Sequence, residues 1–381
     1  MPTGLDAAYR RLPELVGLLL ALAVQWRLYL ASRRRWAHAR ASVIVLACLA
    51  AGLVVVGFLP ASVLPYWGFW PWLKAAGFAW AVVTTVAALL LAAWAWLEAK
   101  ARFHPSRRRL LTTAKSLTVA APALALGYGV IAGRRDIQLR EVEIPIPNLP
   151  PDLHGLKLVQ ITDIHLGPYF EPADLERAIA IASETRAQVG LITGDLVTAR
   201  RDPLHHCIAL LRRLRVDAEL LGCLGNHEIH AQCESEAEAA AARAGIRFLR
   251  STYRVLRFGD ARLNIAGVDY QRKFEPYLAG AEQLLQPGMP NILLSHNPDV
   301  FPVAVAKGFD LTVAGHTHGG QITVEILGHS ASLARFYTPY VYGRYELNGR
   351  SIYVSRGLGT VGVPARVGAP PEVSLIKLCA T

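Results

Sequence analysis

Apolar positions are continuous in the first third of the chain and periodic in the rest. Four stretches approach the length that a helix needs to cross the hydrocarbon core of a bilayer, about 20 residues. They run from Leu12 to Leu30, Ala41 to Leu59, Leu73 to Leu97 and Ser116 to Ala132. Glu14, Gln25 and Arg27 interrupt the first, towards its ends, where long side chains can reach the interface. The second has no charge, the third carries Lys74 only at its edge, and the fourth is short but uncharged. The pattern predicts four membrane-spanning helices within residues 1–135. Between the second and third, the stretch from Pro65 to Trp72 supplies tryptophans and a tyrosine suited to the headgroup layer. Prolines 145, 147, 150 and 151 then predict an extended linker within residues 136–154.

From residue 155 to 381 the pattern changes to short apolar strands ending in polar residues, with amphipathic helices between some of them. Predicted strands run from Leu156 to Thr162, Val189 to Thr193, Glu219 to Leu224, Asn291 to Ser295 and Phe309 to Ala314. Predicted helices run from Pro172 to Gln188, Pro203 to Leu214 and Glu234 to Ala244.

Composition agrees with this division. Of 381 residues, 52% are hydrophobic and only 18% charged. A mean hydropathy of +0.28 is too high for an average soluble protein. The formal net charge is +11, but arginines gather beside the apolar runs, as in Arg33–Arg35 and Arg107–Arg109. That placement fits membrane flanks better than a nucleic-acid face, and no nucleic-acid partner is expected. The loops after the first and third spans are basic, whereas the segment from Pro60 to Trp72 has no charge. Basic loops stay cytoplasmic, so the expected location is a multi-pass cell-membrane protein with its C-terminal domain outside the cytoplasm. The stretch from Ser106 to Leu111 also resembles a twin-arginine export signal. Five cysteines form no CxxC pair and predict neither a disulfide framework nor a zinc knuckle.

The chemistry lies at the predicted strand ends. Gly315-His316-Thr317-His318-Gly319-Gly320-Gln321 places two imidazoles two residues apart within a glycine-flanked turn. Earlier strands end in Asp163-Ile164-His165, Gly194-Asp195, Gly225-Asn226-His227-Glu228 and His296-Asn297. In layered α/β folds, ligands gather at the carboxyl ends of strands. Five successive ends with nitrogen or oxygen donors, and no cysteine, point to metal chemistry rather than to turn capping.

In this order, the five blocks resemble the calcineurin-like metallophosphoesterases. The stretches Tyr353–Gly359 and Pro370–Glu372 resemble the end of the membrane-associated, multi-span branch of that family. The resemblance implies an α/β fold: a four-layer β-sandwich flanked by helices, here preceded by an all-α transmembrane region of about four helices. It implies two divalent metal ions. Asp163, His165, Asp195 and His318 are expected to hold the first. Asp195, Asn226, His296 and His316 are expected to hold the second. A carboxylate has two oxygens, so Asp195 can bridge ions about 3.5–4 Å apart. The resemblance implies that metal-bound hydroxide would attack phosphorus, with Asp195 and Asn226 expected in the catalytic set. His227 is expected to contact the phosphate or protonate the leaving oxygen, oriented by Glu228. The donor set suits Mn, Fe, Zn, Co or Ni without choosing among them.

The expected activity is hydrolysis of a phosphoric ester, diester or monoester, by a membrane-anchored enzyme. The anchor suggests a lipid-linked substrate. One alternative is a lipid pyrophosphatase of the UDP-2,3-diacylglucosamine hydrolase type, although that substrate is made on the cytoplasmic side. Another is a non-catalytic membrane sensor of a phosphorylated ligand, which the complete motif set disfavours. The cluster Phe336, Tyr337, Tyr340, Tyr342 and Tyr345 is expected mainly as the aromatic core of a strand pair, with dipping into lipid as the alternative. The sequence suggests no protein partner.

Overall fold

The computed structural model describes residues 4–59, 63–100, 108–272, 275–326 and 329–381. The chain divides into two compact units, Met1–Tyr128 and Gly129–Thr381.

The first unit contains α1 (Gly4–Arg35), α2 (Arg40–Phe58), α3 (Trp70–Lys100) and most of α4 (Arg108–Ile131). Among the described residues, four helical stretches are long and apolar enough to cross a membrane: Glu14–Arg35, Ala37–Phe58, Trp70–Ala99 and Leu111–Arg135. Helices α2 and α3 approach at Gly57 and Gly77. A Cβ on Gly77 would lie 2.1 Å from the Leu53 carbonyl oxygen, so a side chain there would force the helices apart. Between apolar helices, such small residues permit the backbone contact that replaces a hydrophobic driving force. Gln25 departs from the expectation that it reaches the interface. It is buried, donates to Thr84 Oγ1 at 2.9 Å and accepts from Trp80 Nε1 at 3.3 Å. Bonding to α3 removes the cost that would otherwise drive its amide to water. Ser106 and Arg107 of the twin-arginine-like stretch, and Arg102, lie outside the described residues.

The second unit is a sandwich of two six-stranded sheets. Its elements in chain order are β1 (Gln138–Ile146), β2 (Lys157–Ile161), α5 (Pro172–Glu184), β3 (Val189–Thr193), α6 (Leu204–Leu211), β4 (Leu220–Cys223), α7 (Asn226–Ala231), α8 (Glu234–Arg243), β5 (Ile246–Phe248), β6 (Thr252–Phe258), β7 (Ala261–Gly267), β8 (Asn291–Leu294), α9 (Phe301–Lys307), β9 (Leu311–Ala314), β10 (Thr323–Ile326), β11 (His329–Ser332), β12 (Gly343–Leu347), β13 (Arg350–Val354) and β14 (Glu372–Ala380). The sheet orders are β1-β14-β2-β3-β4-β5 and β12-β13-β9-β8-β7-β6, with β10-β11 as a separate hairpin.

Alternation along each strand sends side chains into different layers. Leu158, Leu191, Leu221 and Ile376 of the first sheet meet Leu263, Ile265, Ile292, Leu311 and Val313 of the second. The residues one position on, Val159, Ile192 and Leu375, pack under α5, α6 and α8. On the far side of the second sheet, Leu293 packs with Ala304 of α9 and Phe309, while Ile352 and Val354 pack with Phe301 and Val305 of α9. The layers are therefore helix, sheet, sheet, helix.

The segment expected as a linker contains β1, which pairs in parallel with β14 from Gln138↔Glu372 to Ile146↔Ala380. β1 is an edge strand, and an edge tolerates the donor that Pro145 lacks. The aromatic cluster divides. Tyr340 and Tyr345 pack edge-on with each other, and Tyr340 packs edge-on with Phe301, as expected of a strand-pair core. Phe336 and Tyr337 are 85% and 73% exposed.

Candidate metal centre

The parallel strands β2, β3 and β4 of one sheet, and β8 and β9 of the other, end on the same side of the sandwich. Asp163 and His165 follow β2, Asp195 follows β3, and Asn226 and His227 follow β4 at the start of α7. His296 follows β8, and His316 and His318 follow β9. Five of these residues adopt left-handed backbone angles: Asp163 (φ 51°), His165 (48°), Asp195 (55°), His316 (76°) and His318 (53°). Such angles are uncommon outside glycine and cost roughly 1–3 kcal/mol each when strained. Here they turn each chain back on its strand, so that neighbouring side chains converge. Glycine makes the approach possible at two points. A Cβ on Gly225 would sit 2.1 Å from Asp195 Oδ1, and one on Gly315 would sit 2.2 Å from Asp163 Oδ2.

The side chains meet in overlapping clusters. Potential ligand atoms lie within 4.8 Å of one another in Asp163/His165/His318, in His165/Asp195/His227 and in Asp195/His296/His316. Asp195 links the last two, and its Oδ2 lies 3.0 Å from His296 Nε2 and 3.6 Å from His165 Nε2. Asp163 Oδ1 lies 3.5 Å from His318 Nε2 and 3.9 Å from His296 Nε2. Asp163, His165, Asp195, His296 and His318 are all buried.

Surrounding hydrogen bonds set the orientation of the rings. His296 Nδ1 lies 2.7 Å from the Thr193 carbonyl, which can only accept, so Nδ1 carries a proton and Nε2 points inward. By the same reasoning, His227 donates from Nδ1 to the Thr198 carbonyl at 2.9 Å. His165 Nδ1 meets Thr198 Oγ1 at 3.0 Å. The His227 amide donates to Asp195 Oδ1 at 2.9 Å, and the His316 amide to Asp163 Oδ1 at 2.9 Å. Glu228 does not touch His227. Its carboxylate accepts from the amides of Asp195 (3.0 Å), Leu196 (2.7 Å) and Gly225 (2.7 Å), and so orients the strand end that carries Asp195. The expectation that it orients His227 fails because its short reach is used by backbone donors.

Burial drives the protonation states. It holds His165 and His316 down at about 3, and His318 well below its ordinary value, so all three rings are neutral and able to ligate. Burial pushes Asp163 up to about 6. His296 goes the other way: burial disfavours its charge, but Asp195 and Asp163 outweigh that and raise it to about 10. In turn, His296 overcomes burial at Asp195 and keeps that carboxyl well below its usual range. A proton on His296 thus balances the carboxylates, and a divalent cation competes for its place.

A fit test for metal rests on two buried atoms. Asn226 Oδ1 and His296 Nε2 have no hydrogen-bond partner among the described residues. The 3.0 Å approach of His296 Nε2 to Asp195 is a charge contact without hydrogen-bond alignment. An unsatisfied buried polar atom costs about 1–3 kcal/mol, and His296 Nε2 faces the carboxylates of Asp195 and Asp163 rather than apolar packing. The nitrogen and oxygen donors fit a pair of divalent cations.

A family model described as calcineurin-like phosphoesterase matches residues 156–320. The chain is 30% identical over 270 residues to the metallophosphoesterase YkuE of Bacillus subtilis, a match covering 69% of this chain and 94% of that protein. The chain belongs to the calcineurin-like metallophosphoesterase family. It is also 28% identical over 277 residues to a transmembrane protein with metallophosphoesterase domain from Danio rerio, covering 69% of this chain and 62% of that one. To the phosphodiesterase YaeI of Escherichia coli it is 25% identical over 278 residues, covering 72% of this chain and 99% of that one. A calcineurin-like metallophosphoesterase is a metal-dependent phosphoester hydrolase, and the family typically uses a binuclear centre.

Sequence reading missed Arg366. Its guanidinium is fully buried and donates to the carbonyls of Gly359, Arg356 and His318 at 3.0, 2.8 and 2.9 Å. Its Nη2 lies 3.2 Å from His318 Nδ1. No periodicity marks it, because it sits in a glycine- and proline-rich stretch between β13 and β14. His205 lies away from the cluster and pairs with Glu236 in an exposed contact at 2.7 Å.

Proposed function

We propose that this metallophosphoesterase is a membrane-anchored phosphodiesterase whose centre holds two divalent cations. Asp163, His165, Asp195 and His318 hold one; Asp195, Asn226, His296 and His316 hold the other. The observation that carries this reading is the convergence of donors from five strand ends around Asp195, together with the unsatisfied Asn226 Oδ1 and His296 Nε2. Cations bound there supply Lewis acidity and bring the pKa of a coordinated water towards neutrality.

The protein's own residues do the remaining work. Asp195 keeps the two sites together and is itself fixed by Glu228 from behind and by the His227 amide in front. Asn226 contributes a neutral oxygen, so the centre keeps excess positive charge for a phosphate. His227, with its Nδ1 proton committed to Thr198, presents Nε2 for proton exchange with the leaving oxygen. General acid help of this kind contributes about 10²–10⁴-fold. His227 also falls within ligand range of His165 and Asp195, which keeps it beside the reacting group.

A diester is favoured over a monoester by likeness to the relative named a phosphodiesterase. An amphipathic ester is favoured by the apolar residues Leu333 and Phe336, which are 75% and 85% exposed near the pocket residues Ala334 and Tyr337. Four membrane-capable helices in the same chain are consistent with a substrate of that kind. The test is hydrolysis of bis-p-nitrophenyl phosphate by the full chain in detergent with Mn²⁺. Turnover lost on chelation and in Asp195→Ala supports the reading; equal turnover by variant and parent excludes it.

A further inference from the structure

Beside the metal centre lies a cavity of about 300 Å³. His316 and Thr317 form one wall, next to the second cation site. Tyr270, Asn297, Asp299 and Thr338 line the rest, and Tyr337 stands at the exposed side. The Tyr270 ring is 5.4 Å from the His316 ring and 6.1 Å from the His296 ring, so it spans from the centre into the cavity. Burial pushes its hydroxyl up to about 12, which keeps it neutral.

Asp299 is the unexpected member. The phosphate site of a hydrolase attracts anions, yet a carboxylate borders the cavity that opens from it. Asp299 Oδ1 accepts from Thr338 Oγ1 at 2.5 Å. The Asp299 backbone amide donates to Asn297 Oδ1 at 2.9 Å, which fixes the turn that presents the carboxylate. Among the described residues, no hydrogen bond or ion pair engages the other carboxylate oxygen, and no arginine or lysine lines the cavity. A carboxylate flanked by aromatic faces is a site for an organic cation: the charge answers the carboxylate, and the ring quadrupoles attract the cation's alkyl shell.

We propose that this cavity is a subsite for an alkylammonium arm of the phosphodiester substrate. The inference rests on the hydrolase reading above and narrows its substrate class. The phosphate lies over the cations, and the arm projects past His316 between Tyr270 and Tyr337 towards Asp299. The volume accommodates a choline- or ethanolamine-sized group. The same carboxylate repels an arm carrying a second phosphate, so lipid pyrophosphates and nucleotide-linked esters are poor substrates. The arm is defined by its chemistry, whether it belongs to a lipid headgroup or to a soluble diester.

The test compares p-nitrophenyl phosphorylcholine with p-nitrophenyl 3,3-dimethylbutyl phosphate, its uncharged carbon isostere. Both are given to the full chain in detergent with Mn²⁺. The subsite predicts kcat/KM at least about tenfold higher for the choline ester, carried mainly by KM, and a ratio near unity in Asp299→Asn. A ratio near unity in the parent, or an unchanged ratio in Asp299→Asn, overturns it. A second measurement reads the subsite without turnover: saturation-transfer NMR of choline against 3,3-dimethylbutanol. Selective choline contact that Asp299→Asn abolishes, with neither ester hydrolysed, keeps the subsite and removes the hydrolase reading. Absence of selectivity for choline removes the subsite while leaving bis-p-nitrophenyl phosphate turnover to stand. Monomeric dihexanoyl phosphatidylcholine and long-chain vesicles separate a soluble diester from a lipid surface; cleavage of either, sensitive to Asp299→Asn, supports the subsite.

Discussion

Arg366 and His318 are joined by a 3.2 Å contact between guanidinium Nη2 and imidazole Nδ1, behind the metal-facing edge of the ring. Metal-bound imidazoles usually back onto an acceptor, whereas a guanidinium can only donate; here its N–H groups are directed at backbone carbonyls, so the Nδ1 approach is a packing contact and Nδ1 is not required to accept. Five backbone carbonyls surround the same charge, those of His318, Arg356, Gly357, Gly359 and Ala369. Arg366 therefore ties the turn after β9 to the loop after β13. Arg366→Met leaves these carbonyls buried and unpaired. It is expected to lower stability by about 3 kcal/mol or more and to loosen the cation site of His318 before that of His316. Bound metal per folded chain, measured by mass spectrometry after gel filtration, is expected to fall from about two to about one. Undiminished metal content with normal stability contradicts this role.

Glu228 acts on Asp195 through the backbone. In Glu228→Gln, one carboxylate oxygen becomes an amide donor facing either the Leu196 amide or the amides of Asp195 and Gly225. A buried donor facing a donor costs about 1–3 kcal/mol. Both denaturation midpoint and kcat are expected to fall, with KM little changed, because the strand end that aims Asp195 shifts. A loss confined to KM speaks against the assignment.

Gly225 separates space from chemistry. Gly225→Ala adds one methyl group, and that group falls on Asp195 Oδ1. The variant is expected to lose at least about a hundredfold in kcat, the scale of a 1 Å misplacement at a reacting centre. Near-parental kcat contradicts the placement of Asp195.

These contacts also mark where the sequence stops being informative. Strands β3 and β9 are buried apolar runs, Val189–Thr193 and Leu311–Ala314, and their polar ends stand out against them. The cluster is legible because each ligand is covalently next to such a strand. Arg366 and Asp299 act across the fold, and nothing local distinguishes them from surface charges; Glu228 is marked by its place in the strand-end block, but its contact with the Asp195 strand end is not. β1 is hidden for another reason: Pro145 and Pro147 signal a linker, and only the edge position beside β14 makes them compatible with a strand. Gln25 resembles a flaw in an apolar span until Thr84 and Trp80 of α3 are seen to satisfy it.

Asp202 gives a pH signature away from the cluster. Its carboxylate accepts from the amides of Thr198 and Ala199, both at 2.7 Å, and so shapes the loop whose Thr198 contacts His165 and His227. Burial nevertheless pushes the carboxyl from 3.8 up to about 6. Between those values the folded chain holds a proton that the unfolded chain has shed. The stabilisation linked to this group is thus present below about pH 4 and is lost as pH rises to about 6. Asp202→Asn is expected to remove that falling component from the stability profile. Superimposable slopes for parent and variant over this window contradict it.

The basic charge of the loops after the first and third spans predicts a C-terminal domain outside the cytoplasm. A cysteine-reactive or protease-accessible tag after Thr381 is expected to be reached from outside intact cells. Protection until the membrane is permeabilised reverses the topology.

The central claim is that Asp195 bridges two cations held by separate halves of the ligand set. Anomalous diffraction from Mn²⁺-loaded crystals tests it directly. The account predicts two peaks about 3.5–4 Å apart, one beside Asp163, His165 and His318, the other beside Asn226, His296 and His316, with Asp195 between them. A single peak, or two that do not share Asp195, contradicts it.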